Sequence, residues 1–224
     1  MFDVFLWSIL RKYTSVFLLG FKNTFWISFV SIALALIVGI LVGLAKLSRF
    51  PLVSRPVSAY VAFIRSTPLL VQIYIIFFGL PHLGITIPTI QAGILALVLN
   101  SGAYIAEIVR AGILSIPKGQ TEAAQAIGMT GLQINRFIIL PQALRNVIPP
   151  LLGQFTYLIK DTSLLSAIGI HELIRAANVV NSRAFRPVEA FAPIFLSYLL
   201  INLILLSLAK MVDRYTTGGE AKWR

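Results

Sequence analysis

Apolar stretches long enough to cross a membrane constrain the fold of this chain more than any other feature. Hydrophobic residues make up 58% of its 224 positions. Core helices of soluble domains seldom carry about 18 or more consecutive apolar residues, whereas a helix of about 20 residues crosses a hydrocarbon core. The pattern therefore predicts an all-α integral membrane protein. Its five predicted spans are residues 24–45, 58–79, 89–111, 147–170 and 188–212.

The distribution of Lys and Arg predicts which side of the membrane each loop faces. Short cytoplasmic loops carry an excess of these residues. If the long loop 112–146 is cytoplasmic, that side has three cations in 46–57, three in 112–146 and four in the C-terminal tail from Lys210 to Arg224, ten in all. The opposite side has six. This bias predicts an N-terminus outside the cell and a C-terminus in the cytoplasm.

The N-terminal segment works against this orientation, because Arg11 and Lys12 lie beside the first span. Residues 2–21 mix these cations with Phe, Leu, Trp7 and Tyr13, which predicts a helix lying in the membrane interface rather than a sixth span. A signal peptide is the alternative, but no small-residue cleavage site follows the segment. Because no linker, low-complexity tract or repeat is evident, residues 1–224 are predicted to form a single transmembrane domain.

Composition and motifs exclude several functions. The net charge of +11 could suggest nucleic-acid binding, but the cations are scattered over loops and ends. Without cysteine the chain has no thiolate chemistry, and its two histidines, His82 and His171, lie in separate outer loops. No stretch fits the phosphate-binding pattern G-x4-G-K-[ST]. We therefore predict no catalytic residue, no metal site and no cofactor in this chain.

The loop after the third span carries a spaced motif, E-A-A, three residues, G, nine residues, I-x-L-P. Its members are Glu122, Ala123, Ala124, Gly128, Ile138, Leu140 and Pro141. Thr121 is predicted to cap a short helix with Glu122 in its first turn, where a carboxylate interacts favourably with unpaired N–H groups. Gly128 permits a sharp exit with positive φ, and Thr130 caps a second helix that ends before Pro141. An amphipathic connecting loop is the alternative for the alanine-rich helix alone.

This complete spacing resembles the cytoplasmic loop of the membrane subunits of ABC importers. Over nearly its full length the chain also resembles the permease subunits of polar-amino-acid ABC importers, of the histidine, arginine and glutamine uptake type. The matching segments are 65–72 (RSTPLLVQ), 100–107 (NSGAYIAE), 110–112 (RAG) and 160–164 (KDTSL). Family members usually have Gly at the position of Ser66, a mild departure because Ser is also small.

The resemblance implies a type I importer permease fold with five core transmembrane helices. It also implies a second permease subunit, identical or homologous, a pair of ABC ATPase subunits that bind ATP and Mg²⁺, and an extracytoplasmic solute-binding protein. Closure of the ATPases would be transmitted through the helix from Glu122 to Gly128, and the seven motif residues are the predicted ATPase-coupling residues. The expected location is a bacterial inner or cytoplasmic membrane, and the expected solute is a polar amino acid.

Two spans carry polar residues at helical spacing. They are Asn100, Tyr104 and Glu107 in the third span, and Gln154, Tyr157 and Asp161 in the fourth. Each set forms one stripe on one helix face. Ionisable groups inside a membrane cost about 2.5–3.5 kcal/mol on insertion scales and usually face protein or a wet cavity. The stripes are therefore predicted to line a shared substrate path. The alternative is interhelical hydrogen bonding, worth about 0.6–2 kcal/mol per bond.

Asp161 is the strongest member of this predicted path, because it lies mid-span and its side chain is too short to reach the interface. Lys160 points about 100° away round the helix and is not automatically its partner. Glu107 lies three residues before Arg110, so an ion pair between these two is the favoured alternative for Glu107.

Arg65 and Thr67 complete the predicted path. Pro68 follows them and removes an N–H, which leaves a carbonyl near Ile64 unpaired and kinks the helix. A kink can expose backbone polar groups to a cavity, or it can simply fit the packing of neighbouring helices.

Two other functions stay open at this point. An ion-coupled carrier would also contain buried carboxylates, but it would need more spans or an inverted repeat. A structural membrane anchor would explain the hydrophobicity but neither Asp161 nor the loop motif. The sequence leaves open which amino acid is carried and whether the permeases form a homodimer or a heterodimer.

Overall fold

The computed structural model describes residues 7–217, of which 209, 210 and 212–217 are described as backbone only. In this part of the chain every regular element is helical. The helices are α1 (Trp7–Lys12), α2 (Thr14–Lys46), α3 (Pro51–Arg65), α4 (Leu69–Tyr74), α5 (Leu80–His82), α6 (Thr89–Leu114), α7 (Lys118–Ala126), α8 (Gly131–Ile134), α9 (Leu140–Asp161), α10 (Leu173–Ala184) and α11 (Pro187–Thr217). A π-helical turn, Ile75–Gly79, joins α4 to α5, and a second, Asn135–Ile139, joins α8 to α9. A 3-10 segment, Thr162–Ile168, continues α9.

Three described helices are long and apolar enough to cross a membrane by themselves: α2, α6 and the Pro187–Leu208 part of α11. Two bent pairs meet the same criterion together. They are Pro51–Arg65 with Leu69–His82, bent by 108°, and Gly131–Ile168 with Leu173–Ala184, bent by 48°. Length and composition thus give three spans, or five if each bent pair is one span. The five predicted spans fall on these five units.

The N-terminal part of the chain differs from its prediction. Residues 14–21, predicted to belong to an N-terminal helix distinct from the first span, instead form the first turns of α2, which runs uninterrupted for 33 residues from Thr14 to Lys46. At about 1.5 Å per residue this helix is about 50 Å long, well beyond a hydrocarbon core of about 30 Å. Only Tyr13, with φ −110° and ψ 17°, separates it from α1. Residues 2–6 of the predicted helix, and Lys222 and Arg224 of the tail, lie outside the described residues.

Tight packing between α2 and α6 forms the centre of the molecule. A Cβ atom at Gly39 would collide with the Ile105 side chain, and one at Gly43 would lie 2.8 Å from the Ala106 carbonyl oxygen. Small residues at these positions let the two backbones approach closely, which is how membrane helices gain packing contacts. In the most apolar 18-residue stretch of each helix, 67% of the residues are buried in α6, against 6% in α11. The helix that carries the first polar stripe is therefore the central one.

Helix α10 lies in a stretch that the sequence analysis treated as a loop. The fully buried Glu172 caps it, because its carboxylate accepts hydrogen bonds from the backbone N–H groups of Ile174 at 2.8 Å and Arg175 at 2.7 Å. Ala176 packs against Gly20 of α2, so α10 covers the residues at the start of that helix.

Candidate functional site

A cavity of about 440 Å³ lies between the α3–α4 bend, α6 and the end of α9. It is lined by Thr67, Pro68, Leu69, Asn100, Tyr104, Gln154, Tyr157 and Asp161. The two polar stripes predicted from helical spacing therefore meet in one cavity. Six of the eight predicted path residues are among the lining, and the two that are not are Arg65 and Glu107.

The break between α3 and α4 forms one wall of this cavity. Helix α3 ends at Arg65 and α4 begins at Leu69, because Pro68 has no N–H to continue the helical ladder. The predicted kink is present, and at 108° it is a complete change of direction. Ser66 at the break has φ −94°, which any residue adopts, so the backbone at this position does not require glycine.

Gln72 satisfies the backbone at this break. Its Nε2 donates to the Ile64 carbonyl at 2.8 Å and lies 2.8 Å from Thr67 Oγ1. The carbonyl that the sequence predicted to lose its helical partner thus gains a side-chain donor. Asn100 Nδ2 in turn donates to Gln72 Oε1 at 2.9 Å. Both amides are buried, with exposed fractions of 7% for Gln72 and 5% for Asn100. This network joins α3, α4 and α6, and Gln72 was not singled out from the sequence although it lies in a matching segment.

Two tyrosines of the cavity each carry a cation on the ring face. The Arg65 guanidinium lies 5.2 Å from the centroid of the Tyr104 ring, and Lys160 Nζ lies 4.6 Å from that of Tyr157. Contacts of this kind are attractive because the ring face is electron-rich. Arg65 therefore reaches the cavity only through Tyr104.

Asp161 brings a carboxylate to the cavity at a transition between two kinds of helix. It is the last residue of α9, where the sequence analysis placed it in the middle of a span, and the chain continues from it as the 3-10 segment. No cation among the described residues lies within ion-pairing distance of Asp161. Lys160 contacts Tyr157 instead, as its different direction on the helix predicts.

Glu107 does not line the cavity. Its carboxylate lies 2.5 Å from Lys46 Nζ and 2.6 Å from Arg110 Nη2. The pair with Arg110 that the sequence analysis offered as the alternative is present. Lys46, at the end of α2, was not anticipated, because a partner 61 residues away gives no local signal. Glu107 thus links α2 to α6 on the side of the loop.

The loop motif begins differently from its prediction. Helix α7 starts at Lys118, directly after the extended Pro117, so Thr121 lies inside the helix and does not cap it. Glu122 accordingly sits in the second turn, away from the first unpaired N–H groups. Glu122 and Ala123 are exposed, whereas Ala124 is 5% exposed and faces the protein. One face of α7 is therefore available to another molecule.

Gly128 ends α7 with φ +80°, and the predicted positive φ is confirmed. The Gly128 N–H donates to the Gln125 carbonyl at 2.9 Å and the Met129 N–H to the Ala124 carbonyl at 3.1 Å. This pair of bonds is a Schellman motif, which satisfies the last carbonyls of a helix and favours glycine in the left-handed position.

The second helix of the loop starts as predicted but does not stop as predicted. Thr130 and Gln133 form a capping box, in which each side chain bonds the other's backbone N–H. The helix then runs through Pro141 into α9, because the wider π-helical turn Asn135–Ile139 precedes the proline and absorbs its missing N–H. Ile138, Leu140 and Pro141 therefore belong to a continuous bent rod. Asn146 Nδ2 donates to Ser115 Oγ at 2.8 Å and closes the base of the loop.

Bent helices around a polar cavity, together with a helical loop that follows the central span, define a type I ABC importer permease fold. A chain of the solved structure described as an amino acid ABC transporter with histidines superimposes with a TM-score of 0.89 at 35% identity, covering 96% of this chain and 100% of that chain. The methionine ABC transporter MetNI in an inward-facing conformation gives a TM-score of 0.74 at 24% identity, covering 91% of this chain and 97% of that chain, and supports the fold alone.

The chain belongs to the family described as binding-protein-dependent transport system inner membrane component, whose profile matches residues 35–217. It is 36% identical over 210 residues to the glutamine transport system permease protein GlnP of Escherichia coli (strain K12), covering 93% of this chain and 96% of that protein. The probable glutamine ABC transporter permease protein GlnP of Bacillus subtilis (strain 168) is 40% identical, with coverage of 79% and 81%. The L-cystine transport system permease protein TcyB of the same organism is 39% identical, with coverage of 88% and 86%.

Proposed function

We propose that this protein is the transmembrane subunit of an ATP-driven importer that moves polar amino acids into a bacterial cell. The family and the relatives named for glutamine and cystine transport support this class of solute. The observation that carries the proposal is the cavity in which both polar stripes meet beside the break at Pro68. A carboxylate, amides and tyrosine hydroxyls in one cavity suit a solute that bears both charges and hydrogen-bonding groups.

The cavity offers a partner to the ammonium end of an amino acid. Asp161 has no competing cation within ion-pairing distance among the described residues, so its carboxylate is available to the ammonium group of the solute. The Gln154 amide and the tyrosine hydroxyls of the lining can form hydrogen bonds with the other polar atoms of the solute.

The loop is the proposed connection to the ATPase. The small side chains and exposed face of α7 suit insertion into a cleft of a partner protein, and the Schellman motif, the capping box and the Ser115–Asn146 bond hold the loop in a defined shape. ATP and Mg²⁺ bind to that partner. Closure of two ATPase subunits moves α7, and the continuous rod from Gly131 to Asp161 carries the movement to the cavity.

The remaining components follow from the same proposal. A second permease subunit, identical or homologous, pairs with this chain in the bilayer, and an extracytoplasmic solute-binding protein delivers the amino acid. Loop 112–146 faces the cytoplasm with the C-terminus, and the N-terminus lies outside.

Reconstitution tests the proposal. The chain and the ATPase that co-purifies with it are placed in vesicles with the binding protein, and uptake of labelled amino acids is measured with and without ATP. We expect uptake only with ATP, and no ATP hydrolysis by this chain alone. Uptake driven by an ion gradient in the absence of ATP would identify a secondary carrier instead. ATP hydrolysis by the purified single chain would also overturn the assignment.

A further inference from the structure

A second cavity of about 440 Å³ lies where α2, α6 and the α8–α9 rod meet. Seven of its nine lining residues are apolar, among them Leu44 and Leu47 of α2 and Leu140, a member of the loop motif. The two polar ones, Asn135 and Arg136, are neighbours on the π-helical turn. The cavity is therefore an apolar groove with polar groups confined to one place, on the side of the molecule that carries loop 112–146.

An exposed apolar stripe leads from this groove along α2. Its members are Leu34, Ile37, Leu41 and Leu44, with exposed fractions of 43%, 57%, 63% and 50%. Their spacing of three, four and three residues puts them on one helix face. Ten residues of helix rise about 15 Å, which is half of a hydrocarbon core of about 30 Å. Groove and stripe together form a continuous apolar track that has the depth of one membrane leaflet.

Arg136 places a cation at the groove end of this track. Its guanidinium lies near the Phe137 ring, 5.6 Å from the centroid, and no carboxylate of the described chain lies within ion-pairing distance of it. None of the groove residues is acidic. Glu122 is the only acidic residue in loop 112–146. The charge at this end is thus complementary to an anionic headgroup, and one Lys or Arg near an anionic membrane surface contributes about 1 kcal/mol of attraction.

We propose that this groove binds an anionic phospholipid of the leaflet on the loop side, with the phosphate at Arg136 and an acyl chain along the stripe from Leu44 to Leu34. A bilayer lipid is the occupant favoured over a protein segment, because Arg136, unpaired among the described residues, complements an anionic headgroup and the apolar track that leads away from it complements an acyl chain. The site is separate from the solute cavity and does not depend on which amino acid is carried.

Fluorescence quenching by brominated lipids tests this site in the full chain. The sequence has no cysteine, so Leu41→Cys introduces a single labelling position on the stripe but outside the groove. Phe29→Cys is the matched reporter, since Phe29 is also on α2 and is 64% exposed, against 63% for Leu41. Each labelled protein is placed in bilayers that contain phosphatidylcholine and a minor fraction of phosphatidylglycerol, with bromine on one lipid or the other.

We expect phosphatidylglycerol at equal fraction to quench the Leu41 reporter at least about twofold more than phosphatidylcholine, with no such preference at Phe29. Arg136→Gln should remove the preference, whereas Arg55→Gln, which removes a cation of α3 outside the groove, should retain it. Equal quenching by both lipids at Leu41 would overturn the proposal. So would a preference that survives Arg136→Gln, or a reporter that neither lipid reaches because protein covers the stripe.

Discussion

The helix ends within loop 112–146 and the cavity are built from interactions of very different range, although the Ser115–Asn146 bond at the base of the loop spans 31 residues. In the loop, Thr130 bonds Gln133 three residues away, and the Schellman motif lies entirely between Ala124 and Met129. In the cavity, Gln72 bonds a carbonyl eight residues away, and Asn100 bonds Gln72 over 28 residues. The loop can therefore keep its shape as a local unit while it moves, whereas the cavity exists only where several helices meet.

Solute transport and ATPase association should separate along this division. Changes in the cavity should reduce uptake while the ATPase still binds. Changes in the loop should reduce ATPase association and, because uptake depends on ATP, reduce uptake as well. Four variants test the division, in order of decreasing expected effect.

Asp161→Asn should have the largest effect, on uptake alone. The change keeps the volume and the hydrogen-bonding capacity but deletes the charge that we assign to the solute's ammonium group. An ion pair in a partly dry cavity is worth more than in water, so uptake in vesicles should fall by at least about tenfold, or about 1.4 kcal/mol. Co-purification of the ATPase and its basal hydrolysis should persist. Normal uptake by this variant would make Asp161 a residue of helix packing.

Gln72→Met should destabilise the cavity. It removes the shortest hydrogen bond to the Ile64 carbonyl, which keeps only the 3.4 Å bonds from Thr67, and it leaves the Asn100 Nδ2 without its acceptor. A buried polar group left unpaired costs about 1–3 kcal/mol. The melting temperature of the purified chain in detergent should therefore fall. Gln154→Met is the matched control, because Gln154 makes one longer bond of 3.4 Å, to Ser101. A drop of equal size for both variants would contradict the role of the network.

Gly128→Val should affect the loop alone. A β-branched residue at φ +80° is strained by roughly 1–2 kcal/mol or more, which should distort the exit from α7. Co-purified ATPase should decrease by about fivefold or more, while the chain still inserts. Gly131→Val is the control, since Gly131 has open space around it and no positive φ. Wild-type ATPase association in Gly128→Val would argue against docking through this loop.

Thr130→Ala should give the smallest effect. Loss of a capping side chain typically costs about 1 kcal/mol, so the first turn of α8 should open more often. Amide hydrogen exchange of Gln133 should accelerate by about fivefold, and Thr130→Ser, which keeps the hydroxyl, should restore most of the protection. Unchanged exchange in Thr130→Ala would show that the helix start is held by tertiary contacts instead.

The amino-acid sequence by itself determined the features that depend on neighbours along the chain. Apolar length predicted helical spans, helical spacing predicted two polar stripes, and the residue types at Pro68, Gly128 and Thr130 predicted a break, a left-handed turn and a cap. Each of these follows from the geometry of a few consecutive residues. Two predicted helix ends were wrong because of residues just before them. Pro117 starts α7 before Thr121 can cap it, and the π-helical turn Asn135–Ile139 carries the helix through Pro141.

Only the tertiary structure decided which of these features meet. It placed both stripes in one cavity, turned Glu107 away toward Lys46, and gave Gln72 its role at the break. It also made α10 and the start of α2 a packed unit where sequence patterns predicted a loop and an interfacial helix. The physical reason is that a contact between residues far apart in sequence depends on how whole helices pack, and the spacing within one helix carries no information about its neighbour.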